Sequence, residues 1–291
     1  DSNPEETDYA NDKLKESYNF GETITFFIIS DWTMREFYAD ESGDVIDDAI
    51  FNRNVSVETR LGVEFEYIED KGLSSDYKAW ITKAENDWAA DNAFDIYAGY
   101  SRSAPLMTLK GMTANLLEYD ESFFADMPWW PQALTTECTI NDKLYFCSGD
   151  ISTNLLLMMY GVYYNKTLLA NYGRTNPVEL VKTDEWTIDA LIEMTADVYE
   201  DLGNNESMYG LVSSYWDFDA VYHASGYGLL DRTTEDGAYV KYSDELFSSI
   251  AEAYITKLSK WVATSDVIAE TDYSGKAGLA FQEERALFTI S

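Results

Sequence analysis

The stretch from residue 23 to residue 98 alternates between short apolar runs and amphipathic segments, and this order constrains the fold more than any other feature. Residues 23–30, 63–68 and 94–98 have the β-branched and aromatic composition of strands. Between them, residues 46–61 and 77–90 place apolar side chains at helical spacing. Strand, helix, strand, helix, strand predicts an α/β lobe with a mostly parallel sheet.

The same helical spacing predicts which side chains face the cores. We expect one apolar side of the first helix and four helical tryptophans to be buried: Ile46, Ile50, Val55, Val57 and Leu61, with Trp80, Trp88, Trp186 and Trp261. Gly62 is the predicted stop of the first helix.

A break at Ser148-Gly149-Asp150 separates two apolar runs, the second of them at residues 155–164. The turn signal at Asn141-Asp142 predicts a hairpin before the break. Such a break lets the chain pass from one lobe to another, which agrees with a length suggesting about two domains. We therefore expect three parts: a disordered leader at residues 1–20, an N-terminal α/β lobe at 21–150, and a second, incomplete α/β lobe at 151–291.

The second lobe continues the mixed pattern. Predicted helices cover residues 167–172, 186–202, 218–229 and 246–262, and predicted strands cover residues 208–212 and 286–290. Asp184 or Thr187 is the expected cap of the helix at 186–202.

Composition excludes several classes of protein. With 46% hydrophobic and 15% aromatic residues the chain is not intrinsically disordered. Its formal net charge is −33, and no basic patch offsets it, so nucleic acid and an anionic membrane surface are excluded as partners. No apolar run is long enough to span a bilayer.

Cys138 and Cys147 flank the Asn141-Asp142 turn, and the spacing leaves two possibilities open. They form a disulfide with some strand distortion, or they are two buried thiols. Two cysteines and the lone His223 do not suffice for a zinc site, and we expect no metal and no cofactor.

Aromatic residues follow the predicted strands at positions that do not fit a helical core stripe. These are Trp32, Tyr100, Tyr215 and Trp216, and polar residues adjoin them at Asp31, Ser101 and Asp217, with Asp150 at the interlobe break. The carboxyl ends of strands in open α/β sheets are where ligands bind. An aromatic face beside hydrogen-bonding groups suits a sugar ring, although ordinary packing is the competing explanation for each aromatic residue.

Acidic residues at the same breaks leave a second function open. Asp31, Asp150 and Asp217 could line one cleft, and a glycoside hydrolase needs two facing carboxylates there. A His-dependent triad would have to use His223, which lies in a predicted helix, and no phosphate-binding loop occurs. We therefore predict binding and no enzymatic activity, with a carbohydrate-active hydrolase and a non-catalytic adhesion or scaffold domain as alternatives.

Short motifs spread along the chain resemble those of extracellular solute-binding protein family 1, the substrate-binding proteins of ABC importers that include maltose-binding protein. The clearest is Tyr163-Tyr164-Asn165-Lys166, which matches the strand that leaves the hinge. Others follow in the family's order: Leu61-Gly62-Val63, Phe94-Asp95-Ile96, Gly111-Met112 with Leu116-Leu117, Leu144-Tyr145-Phe146, and Glu185-Trp186-Thr187-Ile188-Asp189.

The resemblance implies a two-lobed, type II periplasmic-binding-protein-like fold whose C-terminal part is missing after Ser291. It implies a monomer that binds a carbohydrate in an interlobe cleft, closes by a hinge, and delivers the solute to an ABC transporter permease. It also implies an extracellular location, either tethered to the cell surface as a lipoprotein or periplasmic.

Overall fold

The computed structural model describes residues 14–32, 36–90, 94–119, 127–234, 238, 240–270 and 276–291. Its chain forms two compact units. The first runs to Met158 and includes Ala238, and the second contains residues 159–234 and 240–291. The predicted division lay after Asp150, before the short helix that the structure assigns to the first unit.

The first unit is an α/β layer structure in the predicted order. Its elements are β1 (Thr23–Ile29), α1 (Val45–Leu61), β2 (Glu64–Asp70), α2 (Tyr77–Ala89), β3 (Ile96–Ala98), α3 (Ser103–Leu109), α4 (Gln132–Cys138) and α5 (Asn154–Leu157), with a 3-10 turn at Leu116–Glu118. The sheet order is β2-β1-β3 with every pairing parallel, and Phe27 on β1 lies opposite Ile68 and Tyr97. The parallel sheet predicted from the alternating pattern is confirmed.

Phe27 is the centre of the first core. It is fully buried and stacks between Trp80 and Phe94, with ring centroids 4.4 and 4.5 Å away. Trp80 is therefore a core residue as predicted. Trp88 is 43% exposed, so its predicted burial is wrong. It lies in the last turn of α2, beyond the residues that pack on Phe27.

Helix α1 packs differently from the prediction. It ends at Gly62, whose φ of +66° suits a residue without a side chain, as expected. Ile50 is its one buried residue, whereas Ile46, Val55 and Val57 are exposed, so the predicted apolar face is wrong. Polar contacts replace it, because Arg53 and Asn54 donate hydrogen bonds to the backbone carbonyls of residues 36 and 37.

The hairpin predicted around Asn141-Asp142 forms a turn without strands. Both residues have positive φ, of 54° and 53°, as a tight turn requires. One antiparallel bridge, between Ile140 and Lys143, closes the turn. Pairing stops there because Leu144 instead exchanges hydrogen bonds with the segment at residues 115–116, and the preceding residues form helix α4.

The second unit is a mixed sheet with flanking helices. Its elements are β4 (Val162–Tyr164), α6 (Lys166–Asn171), α7 (Pro177–Lys182), α8 (Ile188–Thr195), β5 (Glu200–Gly203), β6 (Glu206–Ser214), α9 (Asp217–His223), β7 (Leu230–Arg232), β8 (Val240–Tyr242), a 3-10 turn (Asp244–Phe247), α10 (Ser249–Val262), β9 (Val267–Glu270), α11 (Lys276–Gln282) and β10 (Ala286–Ile290). Strand β6 pairs in parallel with both β10 and β9, and antiparallel with β5. Strand β4 pairs antiparallel with β10. Strands β7 and β8 form a separate ribbon.

Two predicted helices of this unit are shorter than expected. The helix predicted at 186–202 begins after its cap Thr187, whose hydroxyl accepts from the Ala190 amide at 3.2 Å, and it ends at Thr195. Asp197, with φ of +57°, turns the chain into β5. The helix predicted at 218–229 ends at His223. No glycine or proline marks the end at Thr195, so the prediction missed it. Gly226, with φ of +78°, does mark the second end, because its amide donates to the His223 carbonyl at 3.1 Å.

The longest helix of the second unit is also shorter than predicted. It was expected at 246–262, but α10 begins at Ser249, because the Ser248 hydroxyl accepts from the Ala251 amide at 3.1 Å. Trp261 on this helix is 4% exposed, so its predicted burial is confirmed, and Trp186 packs partly buried against the same core.

Most of the predicted leader, residues 1–13, lies outside the described residues. Nearer to β1 the chain follows the end of α1. The Tyr18 and Phe20 amides donate to the carbonyls of Arg60 and Leu61, at 2.7 and 3.2 Å.

Candidate functional site

The loop that follows β1 carries two of the predicted binding residues, Asp31 and Trp32. The Asp31 carboxylate accepts hydrogen bonds from the backbone amides of Gly72 and Leu73, at 2.9 to 3.3 Å. These amides follow β2, the neighbour of β1 in the sheet. Asp31 therefore joins two adjacent loops at the carboxyl edge of the sheet, and its oxygens already have partners within the protein.

Trp32 is half-buried, and its indole N–H donates a hydrogen bond to Oδ1 of Asn154 across 2.7 Å. Asn154 opens helix α5 and is 122 positions away in sequence. The same turn is held by Glu36, whose Oε1 accepts from the Ser152 hydroxyl at 2.6 Å and from the Asn154 amide at 2.8 Å. Sequence analysis missed Glu36 and Asn154, because no local spacing relates them to Trp32.

Tyr100 and Ser101 follow β3, which pairs in parallel with β1 on the side opposite β2. Parallel strands end at the same edge of a sheet, so the loops carrying Trp32 and Tyr100 leave from that edge side by side. Tyr100 is half-buried and its carbonyl accepts from the Ser103 amide at 2.7 Å, at the start of α3. Ser101 is exposed.

Asp150 lies in an exposed turn shortly before α5. Its backbone amide donates to the carbonyl of Trp129 at 3.0 Å. The turn needs the adjacent Gly149, since a Cβ there would lie 2.3 Å from that same carbonyl oxygen. The structure therefore fixes the backbone of Asp150 and leaves its side chain at the surface.

In the second unit, the residues after β6 combine a buried support with exposed rings. Tyr215 is 53% exposed and Trp216 is 67% exposed. Their backbone is held on both sides, because the Tyr215 amide donates to the Glu270 carbonyl at 2.9 Å and the Trp216 amide donates to the Ser214 hydroxyl at 3.1 Å. Glu270 ends β9, so these rings also lie at the carboxyl edge of a parallel strand pair.

Asp217 is placed beneath this loop, with 7% of its surface exposed. One carboxylate oxygen accepts from the Ser213 hydroxyl at 2.8 Å and from the Ser214 amide at 2.7 Å. The structure thus separates the three consecutive predicted residues: Tyr215 and Trp216 face outward, and Asp217 holds the end of β6.

Surface cavities also lie among the described residues of the second unit, and no sequence pattern predicted them. One, of about 570 Å³, lies beside Trp261 between α8 and α10, with Lys257 and Lys260 at its margin. Another, of about 400 Å³, is mostly apolar and includes Tyr160, Trp186 and Tyr254.

Among the described residues, no group of three or more histidine, cysteine or acidic side chains could hold a metal ion. Within the same part of the chain, no helix combines the length and the apolar character needed to cross a membrane. Cys138 and Cys147 form no disulfide; Cys138 is half-buried and Cys147 is exposed, so neither is the fully buried thiol expected.

Comparison with solved structures relates this fold to the sugar-binding proteins of ABC transporters. The galacto-N-biose-/lacto-N-biose I-binding protein of the ABC transporter from Bifidobacterium longum, solved in complex with lacto-N-biose, matches with a TM-score of 0.52 and 12% identity. The match covers 94% of this chain and 60% of that one. At this identity it shows the fold, which is the mixed α/β fold of two-lobed periplasmic sugar-binding proteins.

Two further structures match at lower TM-scores. They are the maltotriose binding protein of Thermus thermophilus bound with maltotriose (0.48; 12% identity; 92% of this chain, 61% of that one) and the N-glycan transport solute binding protein of Streptococcus pneumoniae (0.44; 16%; 93% and 54%). The chain spans about 60% of the length of the first two proteins. No protein-family model matches the chain, and no curated protein matches its sequence.

Proposed function

We propose that this chain is the greater part of an extracellular substrate-binding protein of an ABC transporter, and that its ligand is a carbohydrate. The observation that carries the proposal is the exposed indole of Trp216 on a buried, hydrogen-bonded support at the end of β6. Exposing a large aromatic surface costs free energy unless a ligand covers it, and a sugar ring offers the matching C–H face.

The first unit carries further residues to which the proposal assigns a role. Trp32 and Tyr100 follow adjacent parallel strands, and Ser101 provides an exposed hydroxyl beside them. We assign stacking to Trp32, Tyr100, Tyr215 and Trp216, hydrogen bonding to Ser101 and Asp150, and support of the loops to Asp31 and Asp217. Binding is proposed to occur between two lobes that close by a hinge, as in the family that the sequence resembles.

The proposal extends to the partner and location of the protein. The permease of an ABC transporter is the proposed partner, and the proposed location is extracellular, either lipid-anchored or periplasmic, with the protein as a monomer. The likeness of the fold to ABC-transporter sugar-binding proteins supports this part.

A thermal-shift and calorimetric screen over mono- and oligosaccharides tests the ligand class. A ligand at a hundredfold excess over its Kd stabilises the folded protein by about 2.7 kcal/mol. Replacing a stacking ring, as in Trp216→Ala or Trp32→Ala, should weaken binding about tenfold or more. Trp88→Ala is the matched control, because Trp88 is exposed on α2 and has no proposed role.

Three outcomes distinguish the candidate functions. Sugar binding that Trp216→Ala weakens and Trp88→Ala leaves unchanged supports the proposal. Release of reducing sugar from a glycan would replace it with the hydrolase. Absence of binding to every carbohydrate, by a chain that unfolds cooperatively, would refute the carbohydrate assignment.

A further inference from the structure

The indole of Trp32 is held by a contact that fixes its direction. An indole has one N–H, which can only donate, so a single well-placed acceptor sets the orientation of the ring. Oδ1 of Asn154 is that acceptor, at 2.7 Å. At this distance the contact is at the short end of the range for N–H···O bonds.

Asn154 is itself held in place by Glu36. The Glu36 carboxylate accepts from the Asn154 backbone amide and from the Ser152 hydroxyl, through the same oxygen. A hydrogen bond to a charged acceptor is stronger than a neutral one. Glu36 therefore fixes the backbone from which the Asn154 side chain reaches Trp32.

Glu36 is fixed in turn by helix α1. Arg53 donates from its guanidinium to the Glu36 carbonyl at 2.7 Å, and the Asn54 amide group donates to the Phe37 carbonyl at 2.7 Å. Asn54 also donates to the phenol oxygen of Tyr67 on β2 at 2.9 Å. A continuous series of hydrogen bonds thus leads from the sheet and α1, through Glu36, to the turn that opens α5.

Helix α5 has four residues, too few to be stable without external contacts. Leu156 and Met158, which lie in and just after it, are 70% and 60% exposed, so hydrophobic burial of these side chains contributes little to holding the segment. Together with the hydrogen bond from the Asp150 amide to the Trp129 carbonyl, the contacts from Glu36 and Trp32 place this helix.

We propose that Asn154 is the positioning residue for the Trp32 indole and that Glu36 positions Asn154. Together they keep the indole in one orientation, and they make the loop after β1 and the segment that leaves the first unit move as one body. The role in ligand binding rests on the proposed function, since it requires Trp32 to be a stacking surface. The orientation of the indole does not depend on the proposed function.

The test uses the complete chain with ¹⁵N-labelled indoles. Trp32→Phe assigns the Trp32 indole resonance among the eight tryptophans. Asn154→Leu removes the acceptor at similar size, and Asn154→Asp keeps an oxygen there. We expect Asn154→Leu to shift the resonance and speed its hydrogen exchange about tenfold, which is the effect of losing one such bond. Asn154→Asp should leave both near their original values.

Glu36 gives an independent pair of variants. Glu36→Leu removes the acceptor for Ser152 and Asn154 and should loosen the same indole, whereas Glu36→Gln retains an acceptor oxygen and should not. Asn165→Leu is the matched control, because Asn165 is likewise an asparagine at the start of a short helix, α6, which it caps by accepting from the amides of Thr167 and Leu168. It lies in the second unit and should not change the Trp32 resonance.

An unchanged Trp32 resonance and exchange rate in Asn154→Leu would overturn the proposal, whatever the ligand. If the resonance responds and a sugar binds the unaltered chain, Asn154→Leu should raise its Kd about tenfold, and an equal Kd would overturn the role in binding. If the resonance responds and no carbohydrate binds the unaltered chain, the positioning role is upheld while the proposed function fails.

Discussion

The Asp266 carboxylate accepts a hydrogen bond from the backbone amide of Val198 across 2.7 Å. The amides of Asp197 and Tyr199 donate to the same carboxylate, at 3.2 and 2.7 Å. One side chain therefore satisfies three consecutive donors in the turn between α8 and β5. Val198 is 2% exposed, so the turn also brings an apolar side chain into the core.

Asp266→Ala should destabilise the protein by about 2 to 3 kcal/mol, because it leaves these amides without their acceptor. Asp266→Asn should cost less, since it keeps one oxygen for Val198 and Tyr199. Urea unfolding followed by tryptophan fluorescence measures both. Glu193→Ala, an exposed acidic residue on α8, is the control and should stay within about 0.5 kcal/mol of the original chain. Equal stability of Asp266→Ala would contradict the bracing role.

Gly210 in the middle of β6 allows close approach of helix α8. A Cβ at this position would lie 2.0 Å from the carbonyl oxygen of Thr195, and backbone atoms cannot give way as a side chain can. Gly210→Ala should therefore cost about 3 kcal/mol or more, or prevent folding. Gly228→Ala is the matched control, because its Cβ would meet its nearest neighbour at 3.6 Å. Similar stability of the two variants would refute the close contact.

Regular, local features of the fold could be predicted from the sequence. The βαβαβ order, the parallel sheet and the burial of Trp80 follow from periodicity and from glycine at the end of α1. The predictions failed where distant polar contacts override local pattern. Asp266, which is remote in sequence, ends the helical pattern after Thr195. Likewise, the segment at 115–116 takes the hydrogen bonds that a hairpin strand would need.

In the candidate site, too, local features could be predicted and features that depend on three-dimensional contacts could not. The exposed rings of Tyr215 and Trp216 at a strand end could be found from their position in the sequence. The opposite orientation of Asp217 could not, because it depends on donors from Ser213 and Ser214 in three dimensions. A run of aromatic and acidic residues after a strand predicts a loop at the sheet edge without indicating which side chains face outward.

Tyr67 should give the protein a pH-dependent stability in alkali. Burial, with the nearby Glu58 carboxylate, raises the pKa of Tyr67 from 10.0 to about 12. The folded state thus holds the phenolic proton more tightly than the unfolded state does. The resulting stabilisation is complete below pH 10 and is lost as the pH rises towards 12.

Tyr67→Phe should remove this part of the alkaline pH dependence and cost about 1 kcal/mol at neutral pH, for the hydrogen bond with Asn54. Urea midpoints between about pH 8 and 11, with tyrosinate absorbance, measure the effect. Tyr119→Phe is the control, because Tyr119 is 79% exposed. An identical pH dependence in Tyr67→Phe and the original chain would contradict the expectation.

Cys147 should react slowly with alkylating agents. Although the residue as a whole is exposed, desolvation raises the pKa of its thiol to about 11. The reactive thiolate is then a very small fraction at about pH 8, so iodoacetamide should react roughly 100-fold more slowly than with an ordinary thiol. The Cys138→Ser variant isolates this reaction, and its rate should climb steadily up to about pH 11. If iodoacetamide reacted with Cys147 as fast as with a small model thiol, the raised pKa of this thiol would be refuted.

Variants of Asp217 distinguish between two roles for this residue, support of the proposed binding loop and catalysis by its carboxylate. One of its carboxylate oxygens accepts from both the Ser213 hydroxyl and the Ser214 amide, and the exposed Trp216 directly precedes it in the chain. Asp217→Ala removes the acceptor of the buried Ser214 amide and leaves the Ser213 hydroxyl only the carbonyls of Ser214 and Ile290, each at 3.4 Å. We expect a loss of about 2 to 3 kcal/mol in unfolding free energy together with weaker sugar binding.

Asp217→Asn keeps an acceptor of the same shape, so it should retain most of the stability and bind sugar nearly as well as the original chain. Urea unfolding and calorimetric titration with the best oligosaccharide compare the two variants. A hydrolase would respond differently, because replacing its carboxylate by an amide abolishes acid–base or nucleophilic chemistry while binding persists. Loss of sugar binding in a fully stable Asp217→Asn would instead mean that the charge itself contacts the ligand, against the supporting role.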